Sequence, residues 1–229
     1  RTCDEFLAKL FQLEVPEMAE GIVRVMGVSR EPGFRAKIAV SSSESDVDHV
    51  GACVGMKGSR VQNVVQELQG ERIDIVTWSP DPAKYVYNAL APAHVSMVMA
   101  DEDARSLLVV VPNDQLSLAI GRQGQNVRLA SKLIGWRIDV KSEQRYANLS
   151  DPGYQSLLGL RGVDETLADQ LVGKGITSSG VLSEKSANDL MVIRAIDEEF
   201  AEALIAEAKT KPFVGPTGSK KVAPATPQI

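Results

Sequence analysis

Two spacings of apolar residues alternate along the first two thirds of the chain. Phe6, Leu7, Leu10 and Phe11 share one helical face, so Thr2 to Glu14 is predicted as a helix, opened by a Thr2-x-x-Glu5 capping box and ended by Pro16. Gly21 to Arg30 and Phe34 to Val40 are predicted strands around an Glu31-Pro32-Gly33 turn; in the second, Phe34, Ala36, Ile38 and Val40 alternate with Arg35 and Lys37. A polar loop from Ser41 to Asp48 leads to a short apolar helix, Val50 to Val54. After Gly58 the spacing of Val61, Val64, Val65 and Leu68 is helical, and Arg72 to Trp78 returns to a strand.

The same order then recurs. Asp81-Pro82 supplies an N-cap with proline at the first helical position, and the helix should stop near Leu90, ahead of Pro92. His94 to Ala100 and Ser106 to Val111 read as a hairpin across Asp101-Glu102-Asp103. Asn113 caps a short helix to Ile120; Val127, Ala130, Leu133 and Ile134 mark a longer one, and Trp136 to Lys141 closes the copy as a strand. Each copy therefore runs helix, strand, strand, helix, glycine turn, helix, strand. A small sheet with helices on one face is an α+β arrangement.

The joint between the last two helices is a Gly-x-x-Gly turn in both copies, Gly55-Met56-Lys57-Gly58 and Gly121-Arg122-Gln123-Gly124. Two glycines three apart let the backbone bend sharply with no Cβ in the way of a ligand, and the following helix offers backbone N–H groups and a positive end to a phosphate. The motif alone is weak, because chance puts about 1.4 such pairs in a chain with 18 glycines. Four occur, including Gly159/Gly162 and Gly215/Gly218. Context separates the first two: each is followed by an amphipathic helix, a glycine stop and an Arg-Ile-Asp strand (72–74 and 137–139), with the second helix one residue shorter. That is an internal duplication about 65 residues apart.

This element order with Gly-x-x-Gly between the last helices resembles the prokaryotic-type (type II) KH domain, a single-stranded RNA-binding module. The strings from Val50 to Gly58, from Arg72 to Val76 and from Ala119 to Ala130 are similar to the tandem KH block of the NusA family of bacterial transcription elongation, termination and antitermination factors. The resemblance covers roughly residues 1 to 146. It implies two small three-stranded sheets covered by helices, over residues 1–79 and 80–146, which hold nascent single-stranded RNA across their two grooves on one continuous surface.

A different repeat follows. Leu160-Arg161-Gly162-Val163-Asp164-Glu165 is echoed 33 residues later by Ile193-Arg194-Ala195-Ile196-Asp197-Glu198, and Asp164 and Asp197 are suited to N-cap helices. The pair resembles the helix-hairpin-helix units found after the KH pair in NusA relatives, which gives an all-α domain over 147–210. Contact of such hairpins with a DNA backbone uses Gly-apolar-Gly; here Asp164 replaces the second glycine, and Ala195 and Asp197 replace both. Acid at that position repels phosphate, so a protein-docking module is expected. Residues 211–229, with four prolines and little apolar content, are expected to be a disordered tail.

Charge sharpens the picture at the turns. The chain carries 30 acids, yet none falls between His49 and Gln66 or between Gln115 and Ile138. Those windows hold Lys57 and Arg60, then Arg122, Arg128, Lys132 and Arg137. The candidate RNA-binding residues are therefore Gly55, Met56, Lys57, Gly58 and Arg60 in one copy. In the other they are Gly121, Arg122, Gln123, Gly124, Gln125, Asn126, Arg128 and Lys132. Gln125 and Asn126 can bond base edges, Arg60 is placed like Asn126, and Arg128 with Lys132 form an i, i+4 pair. Val54, Ile73, Ile120 and Ile138 are candidates for a groove floor, with core packing the commoner role for such residues.

Other chemistries find little support. Net charge is −5, which argues against indiscriminate nucleic-acid binding, and aromatics are only 5%, which argues against a stacking-rich platform. Cys3 and Cys53 form neither a C-x-x-C nor a disulfide framework, so no metal or cofactor is expected. His49 and His94 lack partners at ligand spacing, the serine run lacks a nucleophile elbow, and no catalytic residue is assigned. Trp78 and Trp136 read as structural. No run reaches the 18 or more apolar residues of a membrane span. The expectation is a cytoplasmic monomer that binds nascent single-stranded RNA, with RNA polymerase and other transcription factors as partners. Beginning at Arg1, the chain reads as a piece of a longer protein, and the resemblance implies a polymerase-binding domain and an OB-fold domain before it. The competing expectation is the substrate-binding part of an RNA-processing enzyme whose catalytic domain lies elsewhere.

Overall fold

The computed structural model describes residues 2–193, 196–211 and 213, and divides between Glu143 and Gln144 into two compact units. In the first unit, the first copy comprises α1 (Asp4–Glu14), α2 (Pro16–Ala19), β1 (Val23–Glu31), β2 (Arg35–Ser42), α3 (His49–Val54), α4 (Ser59–Glu67) and β3 (Arg72–Thr77). The second comprises α5 (Pro82–Ala89), β4 (Met97–Asp101), β5 (Ser106–Val111), α6 (Leu116–Ile120), α7 (Gln125–Ile134) and β6 (Arg137–Ser142). Both sheets have the same topology: the first two strands pair antiparallel, β1 with β2 and β4 with β5, and the third pairs parallel to the second. A parallel partner requires a crossover. Here the crossover is helix, glycine turn, helix, so the topology itself sets the turn beyond the end of the short helix.

Local signals place most boundaries. Asp81 accepts the Ala83 N–H at 2.9 Å with Pro82 opening α5, as the Asp-Pro pair predicts. The capping box at the other end does not form: α1 starts after Cys3, with no side-chain cap, which leaves Thr2 outside the helix. Asn113 sits inside a single 3-10 turn before α6 rather than capping it. The long helices also differ from expectation: α4 has nine residues and α7 ten, because the first copy ends its helix early in a turn where Gln69 takes φ +59°.

One face of β2, Ala36, Ile38 and Val40, packs on Leu7, Phe11, Cys53, Val64 and Leu68 to form the first core. Phe34 does not join it, lying in the preceding turn at 73% exposure. The opposite face is equally covered. Ala39 and Val76 belong to the core of the second copy, with Tyr85, Val86, Leu90, Leu107, Val109, Val111 and Ala130. At the bulge in β1 the two copies approach closely: a Cβ on Gly27 would meet Leu133 Cδ1 at 3.4 Å and Tyr85 Oη at 3.7 Å. Lys37, on this covered face, is 0% exposed and donates to Asp74 at 2.8 Å. Burial pulls its ammonium below the usual lysine range, and the Asp74 charge works against that. The first sheet is thus buried on both sides, and the two copies share a core.

The second unit contains α9 (Pro152–Leu158), α10 (Glu165–Gly173), α11 (Ser179–Ser183), α12 (Ala187–Leu190) and α13 (Glu198–Thr210), with α8 (Glu143–Leu149) at its start. Tyr154, Leu157, Leu167, Leu171, Leu182, Leu190 and Leu204 form its core. Asp164 and Asp197 each cap a helix, accepting from Leu167 N and Phe200 N at 2.8 Å. Gly162 needs to be glycine: its φ is +78° and a Cβ there would meet the Phe200 ring at 2.9 Å. The echoing hairpin includes residues 194 and 195, and the expected tail runs over 211–229; apart from 211 and 213, these lie outside the described residues.

Candidate nucleic-acid interface

The two glycine turns have one backbone. Gly55 and Gly121 stand at φ 73°, ψ 176° and φ 75°, ψ 172°, a region open only to glycine. The third residues, Lys57 (φ 54°, ψ 26°) and Gln123 (φ 52°, ψ 30°), are left-handed, as are Gly58 and Gly124 after them. The glycines differ in what requires them. A Cβ on Gly55 would fall 2.6 Å from Arg60 Cγ, and one on Gly121 would fall 2.9 Å from the Asn126 backbone nitrogen. A Cβ on Gly124 would meet nothing within 4 Å, and one on Gly58 only Val61 at 4.0 Å. The first glycine of each pair is thus filled by the following helix, while the second faces open space. The N–H groups of the intervening residues precede the first bond of the turn, Gly58 N to Gly55 O and Gly124 N to Gly121 O, both 3.1 Å.

Met56, Lys57, Arg122 and Gln123 are exposed, Met56 at 84%. Superposing the turns by their dihedrals sets Lys57 beside Gln123 and Arg122 beside Met56, so each copy carries its cation at a different place on the bend. Lys132 is exposed on α7.

Four other candidates are engaged within the protein. Asn126 is only 2% exposed; its Nδ2 donates to Ala119 O (3.0 Å) and Leu90 O (3.2 Å). This corrects the expected base contact: the amide holds the C-terminus of α6 and the end of α5, and cannot reach a base. Arg60 is placed like Asn126, as expected, and does equivalent work. Its guanidinium donates to Ala52 O at 2.6 Å and to Glu17 at 2.9 Å, bracing the end of α3. Gln125 and Arg128 both reach Glu31 at the end of β1, at 2.8 and 2.7 Å, and Arg128 also donates to Gln123 O at 3.1 Å. Bonds from Arg128 first, then from Gln125, hold the Glu31 carboxyl below the usual range. The acid-free windows did not reveal Glu17 and Glu31, because both acids come from elements remote in sequence.

Val54, Ile73, Ile120 and Ile138 are half-buried; Ile73 packs on the first core and Ile138 on the second. They can floor a groove beside each turn. Cys53 is buried and its thiol pushed up to about 12 by desolvation, so it is no nucleophile. His49 lies 3.3 Å from Thr77 Oγ1. Among the described residues, no group of three or more His, Cys, Asp or Glu could hold a metal ion, and no helix is long and apolar enough to cross a membrane.

A three-stranded sheet with one parallel pair, crossed by helix–GxxG–helix and built twice, defines a tandem KH protein. Comparison with known families agrees: residues 1–78 match the NusA-like first KH domain and residues 82–148 the NusA-like second KH domain. Transcription termination/antitermination proteins NusA of Halalkalibacterium halodurans and Bacillus subtilis are similar, at 55% identity over 149 residues and 54% over 143. These alignments cover 65% and 62% of this chain, and 39% and 38% of the relatives. The NusA of Rickettsia prowazekii is 51% identical over 148 residues, which is 63% of this chain and 29% of that protein. The chain belongs to the NusA family. It aligns to well under half the length of these relatives.

Proposed function

We propose that the two KH domains hold nascent single-stranded RNA, one groove each, as the RNA-binding part of a bacterial transcription termination/antitermination factor. The observation that carries this reading is the repeated turn: the same glycine-only bend, twice, with an open second glycine and exposed Lys57 or Arg122 beside it. Backbone N–H groups and one cation per turn clamp phosphates, while half-buried aliphatics receive bases. Contacts of this kind read sequence modestly. The names of the relatives support the transcriptional role; on this reading RNA polymerase is a partner, the setting is cytoplasmic and the chain binds rather than catalyses. The helical unit, with acid at its hairpin, docks protein rather than DNA. The chain acts as a monomer.

Replacing Met56-Lys57 and Arg122-Gln123 by Asp-Asp pairs tests this. Asp tolerates the left-handed third position, so stability should change within about 0.5 kcal/mol. Affinity for single-stranded RNA should fall roughly tenfold or more, and the salt slope of the residual binding should drop by about one for each lost phosphate contact. Unchanged affinity would refute the reading.

A further inference from the structure

Where the two KH domains join, Trp78, directly after β3, and Tyr87, on α5, line one open depression of about 350 Å³ with Thr77, Ser79, Lys84 and Asn88. Tyr87 is 50% exposed, Lys84 is exposed, Trp78 is half-buried, and the lining holds no carboxylate. A series of contacts ties this depression to both glycine turns. His49 opens α3, the helix that leads into Gly55, and lies 3.3 Å from Thr77 Oγ1. Asn88 Nδ2 donates to Thr77 O at 3.0 Å. Two residues on, Leu90 O accepts from Asn126, the residue packed against Gly121. The depression is therefore linked, through Thr77 and Asn88, to the helix that leads into the first turn and, through Leu90, to the residue packed on the second.

We infer that an RNA strand passing from one turn to the other crosses this depression, stacking a base on the Tyr87–Trp78 surface while Lys84 meets a phosphate. This rests on the reading of the turns as RNA seats. Aromatic faces stack any base, which suits a strand whose sequence is read only modestly elsewhere. Charge sets the route: Trp78 also lines a second depression, with Glu44, Asp46, Asp48 and His49, whose carboxylates repel phosphate, so the strand takes the side that carries Lys84. Trp78 also packs against the second core, so one residue serves as spacer between the domains and as wall of the crossing.

The test compares a long single-stranded RNA able to span both turns with a short one of about four nucleotides, the length one KH groove clamps. Tyr87→Ala should weaken the long RNA about tenfold, and Tyr87→Phe should restore it, because stacking needs the ring and not the hydroxyl. Lys84→Gln should weaken the long RNA and lower its salt slope by about one. Short-RNA affinity should be unchanged in all three. In a Trp136→Phe background, Trp78 emission should respond to the long RNA and not to the short one. If the Asp-Asp turn variants abolish binding while Tyr87→Ala, Lys84→Gln and Trp78 emission show no effect, the crossing is refuted and the turn reading stands. Loss in Tyr87→Phe equal to that in Tyr87→Ala refutes the stack. If the turn variants bind RNA normally, the turn reading fails and takes the crossing with it.

Discussion

The first KH domain braces its glycine turn with a guanidinium, the second with a carboxamide. Arg60 spans Ala52 O and Glu17 from a half-exposed position, whereas Asn126 sits fully inside on two carbonyls. The domains diverge again where β3 and β6 begin. Glu71 is buried in an ion pair with Arg30 (2.5 and 2.9 Å) and also accepts from Gly33 N at 2.8 Å. The strand register places Ala100 and Trp136 at the corresponding positions of the second domain, where an indole packs on the core. Duplication has kept the dihedrals of the turn and replaced what holds it. The backbone bend is therefore the conserved product of two different supports, as expected if the bend is what contacts the ligand.

The largest effect should come from the ion pair. Arg30→Ala leaves the Glu71 carboxylate buried without its counter-charge and should cost about 3–5 kcal/mol in denaturant unfolding. Arg30→Ala combined with Glu71→Trp, which imitates the second domain, should lose less than the single change; a larger loss would break the correspondence between the positions. Next comes the turn. Gly121→Ala puts a methyl against the Asn126 backbone in a glycine-only conformation and should cost about 2–4 kcal/mol. Gly55→Ala should cost less, because the atoms it meets belong to the Arg60 side chain, which can move. Gly124→Ala meets open space and should cost only the left-handed strain, about 1–2 kcal/mol. Equal losses at Gly121 and Gly124 would contradict the division between a packed first glycine and an open second one.

The smallest effect concerns Glu31, which joins the domains through Gln125 and Arg128. Its folded carboxyl titrates below the unfolded value of about 4.3. The stabilisation is therefore complete above that pH and disappears as pH falls through the lower folded value. Glu31→Gln should remove this acid-side loss, so melting temperatures of variant and parent should begin to approach each other only below the unfolded value of about 4.3 and meet once pH has fallen below the lower folded one. A constant difference down to low pH would exclude the charge as its source.

What was legible in the sequence was local. The glycine pairs, the Arg-Ile-Asp strands and the caps at Asp81, Asp164 and Asp197 each depend on residues within a few positions, and each forms. The errors are non-local. Lys37 alternates with apolar residues as an exposed strand cation would, yet it is buried because a helix layer from the second domain covers that face. Arg128 reads as a free helix cation, but its partner Glu31 lies 97 residues away. Asn126 looked available because its two carbonyl acceptors come from α6 and from the end of α5, 36 residues earlier. Thr2 and Phe34 failed for a different reason: each sits just beyond the end of its element, where periodicity carries no information.

Backbone amide NMR during titration with single-stranded RNA tests the central claim most directly. Shifts should concentrate at residues 56–58 and 122–124 together, with the Asn126 side-chain amide and the Asp164 hairpin unmoved. Shifts confined to one turn, or centred on the helical unit while both turns stay still, would contradict a strand held by two equivalent bends.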